Sequence, residues 1–257
     1  MKRLAPSLVA DWARVATQIQ SSCRVVVILD FDGTLVNIAP RPDLVRLSLA
    51  SRRVLRRLAR HPRVTLAVIS GRRHAELQRY IGLPGIRYFG LYGWECRGHS
   101  PLPSSALIAL RDARAQLAIH LCSIPGLWVE DKHFSLSVHF LGVSPPAQRR
   151  ARRKLRSLLL PFQEALRVIE NLRDAEIVPR CILGKGAAVD RFLANPACSR
   201  VLPFYFGDDL SDEPAFEAVG KGISIRVGAA RPTRARYSVR DPAAVAAVLA
   251  KLEAALN

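Results

Sequence analysis

Acidic side chains are scarce in this chain. Against 39 lysines and arginines stand only 21 aspartates and glutamates, which gives a formal charge of +18 over 257 residues. Such a balance suits a protein that binds nucleic acid or another acidic surface. It equally suits one that places arginine on solvated helix faces. The basic residues are concentrated in SRRVLRRLAR (51–60) and RRARRKLR (149–156), where they alternate with Leu, Val and Ala at helical spacing. That spacing favours solvated faces over a nucleic-acid surface. A positive field would also speed the arrival of a phosphate-bearing ligand.

Cysteine is sparse too. The five residues, at 23, 96, 122, 181 and 198, are odd in number and contain no C-x-x-C pair. Reduced thiols and no zinc site are therefore expected. No stretch approaches the ~20 apolar residues of a membrane span, and MKRLAPSLVADWARV at the start lacks a long apolar signal core. A cytoplasmic monomer without a membrane partner is expected. Internal repeats and low-complexity tracts are absent. The chain is 49% hydrophobic and 23% charged, enough apolar material for one large domain or two modest ones.

Residues 25–38, VVVILDFDGTLVNI, organise the rest. Five apolar residues run into Asp30-Phe31-Asp32-Gly33-Thr34. A short apolar run ended by a glycine turn predicts a buried parallel strand. In an open α/β sheet, ligands bind beyond the carboxyl ends of the strands. Asp30 and Asp32 are thus expected in a site. Two carboxylates without a basic neighbour call for a cation, and hard oxygen donors suit Mg²⁺.

Periodicity predicts helices over 5–21 and 43–60, a strand at 64–70 ending in Ser70, a helix over 73–82 and a strand at 86–93. This β-α-β-α-β order marks a parallel sheet. The pattern then changes. After a polar turn at 97–104 come a helix over 105–122 and a half-exposed antiparallel strand in 127–143. A helix over 145–158 and more strand in 166–179 follow. This block reads as an inserted cap. The parallel pattern resumes with a helix at 186–194 and a strand entering the acidic loop of 202–216. A strand at 223–228 and a helix at 242–256 close it.

Four pieces stand at strand ends or helix starts: Asp30-x-Asp32-Gly33-Thr34, Ser70, Lys185, and Gly207-Asp208-Asp209-x-x-Asp212-Glu213. Together they suit phosphoryl transfer. One carboxylate attacks phosphorus, and a second handles the proton. A divalent cation screens the repulsion, while lysine and hydroxyl bind phosphate oxygens. Arg72 and Arg73 read as solvated or salt-bridged.

In order, DFDGTL, ISGR, GKG and GDDLSDE resemble the four motifs of the haloacid dehalogenase superfamily of phosphatases. The resemblance implies an α/β fold: a Rossmann-like parallel-sheet core (1–96 and 183–257) with a smaller C2-type α/β cap (97–182). It implies Asp30 as nucleophile and Asp32 as general acid/base. Mg²⁺ would be held by Asp30, the backbone carbonyl of Asp32 and Asp208, with Asp209 and Asp212 in support. Thr34, Ser70 and Lys185 would bind phosphate.

Within the superfamily the chain is most similar to trehalose-6-phosphate phosphatases, through GLYGWE (90–95), PGLWVEDKHFSLSVHF (125–140), AEIVP (175–179) and GDDLSDEPAF (207–216). That resemblance implies Glu130, Lys132 and Glu176 as the residues gripping the sugar, and trehalose 6-phosphate as substrate. Two positions depart from the pattern. Tyr92 stands where the family has histidine, and Leu141 follows His139-Phe140 where the family has arginine. Another sugar or glycosyl phosphate, of the sucrose-phosphate or glycosyl-glycerate type, stays open. So do phosphotransfer to an acceptor other than water and a non-catalytic, basic nucleic-acid-binding protein.

Overall fold

Strand β1 (Arg24–Leu29) lies in the middle of a parallel sheet, paired on both sides. Its apolar run is explained by what covers it. Val25, Val27 and Leu29 face one buried cluster, and Val26 and Ile28 face another. Each such side chain, taken fully out of water, contributes about 1.5–3 kcal/mol. The computed structural model describes residues 3–39, 41–96, 101–121, 123–194 and 200–257. Within these the chain divides into two compact units, one from residues up to Cys96 and from Gly184 onward, the other from Arg97 to Leu183.

The first unit begins with α1 (Trp12–Ser21), then β1, α2 (Leu49–Arg60), β2 (Val64–Ile69), α3 (His74–Tyr80) and β3 (Ile86–Phe89). The second unit holds α4 (Ser104–Leu121), β4 (Trp128–Asp131), β5 (Leu136–His139), α5 (Pro145–Leu159), β6 (Leu166–Glu170) and β7 (Asp174–Pro179). The first resumes with α6 (Lys185–Leu193), β8 (Val201–Gly207), α7 (Glu213–Ala218), β9 (Ile223–Val227), β10 (Tyr237–Val239) and α8 (Pro242–Leu256). Its six strands run parallel in the order β10-β9-β8-β1-β2-β3. α1, α2 and α8 cover one face, while α6 and α7 cover the other. This is the doubly wound α/β arrangement expected from the sequence.

The four strands of the second unit form an antiparallel sheet, β4-β5-β7-β6. One face packs on α4 and α5 through Leu110, Leu117, Val138, Leu155 and Ile177. The basic residues of α5 lie off this contact. Arg149, Arg150, Arg153 and Lys154 are exposed, whereas Ala151, Leu155 and Leu159 are buried.

Several boundaries differ from expectation, each for a local reason. The helix expected from residue 43 starts at Leu49, because Ser48 caps it by accepting from the Ser51 N–H. The stretch 127–143 is a hairpin and not one strand. Its turn is built without glycine: the Asp131 carboxylate accepts from the His133 N–H at 2.8 Å, and His133 takes φ +68°. The strand expected in 166–179 is present as two, β6 and β7. The three-residue β10 was not anticipated. Cys23 is disulfide-bonded, which departs from the expected reduced chain. Residues 97–100 of the polar turn, Cys122 and Cys198 lie outside the described residues. Among the described residues no helix is long and apolar enough to cross a membrane.

Candidate active site

The carboxyl ends of β1 and β8 carry the acidic motifs, and the end of β2 carries Ser70. Asp30 follows β1 directly, and its N–H donates to Phe206 O at 2.9 Å, so the central strand pair fixes its position. The chain then curls through a tight turn, with the Leu35 N–H donating to Phe31 O at 2.9 Å. Gly33 sits in this turn at φ +80°. A methyl group there would overlap the Asp208 carboxylate. Glycine is required twice, for conformation and for the approach of an acid from the distant loop. Gly207, at the end of β8, does the same for Asp212, whose side chain fills the space a β-carbon would take.

The outcome is a buried cluster. One carboxylate oxygen from each of Asp30, Asp208 and Asp212 can lie within 4.8 Å of the others. The Lys185 ammonium, at the start of α6, donates to Asp30 Oδ1 at 2.6 Å and to Asp212 Oδ1 at 2.8 Å. Asp212 also accepts from Tyr205 Oη at 2.6 Å and from the N–H groups of Asp208 and Asp209 at 3.1 and 2.9 Å. Those four donors satisfy its carboxylate and lash the acidic loop together. The Asp209 carboxylate accepts from the Leu210 N–H at 2.6 Å and caps the short turn that follows.

Charge does not close within this cluster. Burial pushes the Asp30 carboxyl up to about 7, although Lys185 pulls it down. Burial, then Asp30 and Asp212, push Asp208 well above the carboxylate range. Burial alone would lower the Lys185 ammonium, but Asp212 and Asp30 outweigh it and hold the group above its ordinary range. Burial and mutual repulsion among the acids leave Asp30 and Asp208 with raised pKa values, while Lys185 lies between Asp30 and Asp212. Three clustered carboxylates with hard oxygen donors fit a divalent cation such as Mg²⁺.

Asp32 points elsewhere. Its carboxylate receives a two-pronged ion pair from Arg72, Nε to Oδ2 at 2.7 Å and Nη2 to Oδ1 at 2.8 Å. The guanidinium lies 5.4 Å from the Phe31 ring centroid and 5.1 Å from that of Tyr80. Ser70, at the tip of β2, is buried, and its Oγ accepts from the Arg72 N–H at 3.2 Å. The Thr34 hydroxyl is buried with no hydrogen-bond partner among the described residues. Tyr92 is buried at φ +57° beside Leu91 at φ +45°, a conformation that side chains other than glycine adopt only under constraint. Their N–H groups bind Ser70 O and Arg72 O, tying this loop to the tip of β2.

Two residues of the site escape sequence reasoning. The Asp32–Arg72 pair spans forty positions, and only the R of ISGR hints at it. Tyr205 had a clearer signal: a tyrosine in an otherwise apolar central strand must find a partner for its hydroxyl.

Glu130, Lys132 and Glu176 come together on the sheet of the second unit. Lys132 Nζ lies 3.0 Å from Glu176 Oε2 and 4.0 Å from Glu130 Oε2. Ser135 Oγ donates to Glu176 Oε1 at 2.6 Å, and His139 Nε2 lies 2.9 Å from Glu130 Oε2. Burial raises the Glu176 pKa, and Lys132 opposes it.

The chain is 32% identical over 250 residues to the trehalose-phosphate phosphatase of Mycobacterium ulcerans, covering 91% of this chain and 63% of that protein. It is 29% identical over 265 residues to a protein of Oryza sativa subsp. japonica named "Probable trehalose-phosphate phosphatase 4", covering 97% of this chain and 71% of that one. It thus spans roughly two thirds of the length of these relatives. In fold it is similar to the C-terminal domain of the C. albicans trehalose-6-phosphate phosphatase, with a TM-score of 0.83 at 20% identity over 97% of this chain and 98% of that one. The Trehalose-phosphatase family model matches residues 28–243, from the middle of β1 into α8. That match takes in Asp30, Asp32, Ser70, Lys185 and the acidic loop 207–213 with the whole of the second unit, and the chain belongs to the trehalose-phosphatase family.

Proposed function

We propose that the protein is a Mg²⁺-dependent phosphatase that hydrolyses trehalose 6-phosphate to trehalose and phosphate. The observation that carries it is the Asp30 carboxylate. It is buried at the carboxyl end of the central strand, with Lys185 at 2.6 Å and the Asp208 and Asp212 carboxylates close by. A nucleophile for phosphorus needs such surroundings, where positive charge offsets its repulsion from the phosphoryl oxygens. Asp30, Asp208 and the Asp32 carbonyl would hold Mg²⁺, with Asp209 and Asp212 in support. The metal would supply further screening of that repulsion.

In the proposed reaction an Asp30 oxygen attacks phosphorus. The bond from phosphorus to the sugar oxygen breaks, and Asp32 gives that oxygen a proton. Water then attacks the aspartyl phosphate, Asp32 takes its proton, and phosphate leaves. Asp32 must part from Arg72 to do this, because a carboxylate held at both oxygens has no acid to give. Thr34, Ser70 and Lys185 bind the remaining phosphate oxygens, and Glu130, Lys132 and Glu176 bind sugar hydroxyls. The second unit serves as the cap. The enzyme is read as a cytoplasmic monomer, which fractionation and gel filtration test.

Phosphate release from a panel of sugar phosphates, with and without Mg²⁺, tests the reaction. Release from trehalose 6-phosphate that depends on Mg²⁺ is expected. No release from any member, or full activity in Asp30→Asn, overturns the proposal. Leu141, 49% exposed where the family has arginine, favours a second reading with another disaccharide or glycosyl phosphate. The same panel separates the two.

A further inference from the structure

We infer that Trp128 and His139 form a stacking platform for a pyranose ring of the sugar substrate, on the face of the second unit's sheet turned away from α4 and α5. The inference rests on the sugar-phosphatase reading above and adds to it two residues that recognise the ring itself. Pairing register defines the face. Trp128 stands opposite His139, Glu130 opposite Ser137, and Ser137 opposite Glu176. The alternate residues, Val129, Leu136, Val138 and Ile177, pack into the apolar cluster against α4 and α5. The other face carries Trp128, Glu130, Ser137, His139 and Glu176, with Ile169 opposite Glu176 in register; Trp128 is the large aromatic ring on it and lies in the exposed part.

Trp128 is 41% exposed there. An indole left this exposed forgoes much of what full burial would contribute. Its orientation is nevertheless fixed. The ring lies flat on the His139 imidazole, centroids 3.9 Å apart and planes within 11°. His139 is in turn held by Glu130 at 2.9 Å. One indole face is thus backed and the side chain set in place, while the rest stays open. A platform fixed in advance loses little freedom when a ligand settles on it.

The surroundings name the ligand class. A pyranose offers a patch of C–H groups on its ring face and hydroxyls around its rim. Trp128 matches the first. Glu130, Glu176 and Lys132 match the second, offering acceptors and a donor within one small patch. Ser137 lies between the two glutamates in register, and its hydroxyl is buried without a hydrogen-bond partner among the described residues. A purely apolar ligand would strand these polar groups, and a simple anion would make no use of the indole.

The test compares Trp128→Ala and Trp128→Phe in the full chain with Mg²⁺. Two substrates are used: the best sugar phosphate of the panel, and p-nitrophenyl phosphate, which has no sugar. Stacking of this kind is worth about a tenfold change in affinity. Trp128→Ala should raise KM for the sugar phosphate by about that factor with kcat retained. Trp128→Phe should restore most of it, and p-nitrophenyl phosphate kinetics should not change. An unchanged KM for the sugar phosphate, or an equal rise for both substrates, overturns the inference. Should no sugar phosphate be turned over, the functional reading fails by itself. Trehalose titrated against the fluorescence of a Trp12→Phe/Trp94→Phe chain then answers for the platform. A saturable change in Trp128 emission supports it, and none refutes it.

Discussion

Each unit buries one lysine among acids, and the two clusters balance their charge differently. In the parallel unit Lys185 bridges Asp30 and Asp212, with Asp208 as a third carboxylate beside them. In the other unit Lys132 bridges Glu176 and, at longer range, Glu130, while Ser135 and His139 take up remaining acceptor positions. The first cluster has acid to spare, and burial leaves Asp30 near 7 and Asp208 far above its usual range. The second is close to satisfied by the protein alone. Surplus negative charge suits a divalent cation and a phosphoryl group. A polar patch whose groups hydrogen-bond one another suits hydroxyls. Under the proposed function the same side-chain types would serve two kinds of ligand, and what differs between the clusters is how far the acids are already hydrogen-bonded by neighbours.

The sharpest way to separate the clusters is to remove one acid from each. Asp30→Asn should cut kcat on the order of 10⁴-fold or more with the fold intact, read by phosphate release and circular dichroism. Glu176→Gln should act mainly on KM.

Removing the lysines comes next. Lys132→Met strips a buried carboxylate of its partner and should cost about 3–5 kcal/mol in urea unfolding. Lys185→Met should cost a similar amount. Added Mg²⁺ should recover part of the second loss and none of the first, since binding to the folded state alone stabilises it. The loss in Lys132→Met should also be smaller at pH 5 than at pH 8. Burial raises the Glu176 pKa above its ordinary 4.5, and without Lys132 it rises further. A carboxyl with a raised folded pKa holds a proton that the unfolded chain has released. Stability is therefore lost as pH climbs from the ordinary value through the raised one.

Smaller effects probe the core cluster alone. Gly207→Ala forces a methyl group against the Asp212 side chain and should cost about 1–3 kcal/mol, with weaker Mg²⁺ binding by calorimetry. Tyr205→Phe removes one of four donors to Asp212. It should cost about 1 kcal/mol in thermal unfolding.

Much of this was readable in the chain because the chemistry sits where local pattern is strongest. The apolar runs of β1, β2 and β8 end directly at Asp30, Ser70 and Asp208, so strand periodicity and site location carry the same signal. The Asp32–Arg72 pair was hidden because nothing local says which arginine, among so many, reaches a given acid. The hairpin of β4 and β5 was hidden because its turn uses an aspartate side chain and a strained histidine in place of glycine. β10 was hidden because three residues inside RARYSVR carry no apolar run. Its pairing with β9 is a tertiary fact.

The chain departs from the parallel unit after Cys96 and comes back at Gly184, and the residues between build a sheet and a core of their own. An excursion of that kind behaves as a cassette. If the proposed function holds, mutations within it could redraw the preference for one sugar over another while Asp30 and its neighbours on either side stay as they are. Under the proposed function, selectivity and reactivity in such a chain can change separately, and Leu141 stands in the part that would set selectivity.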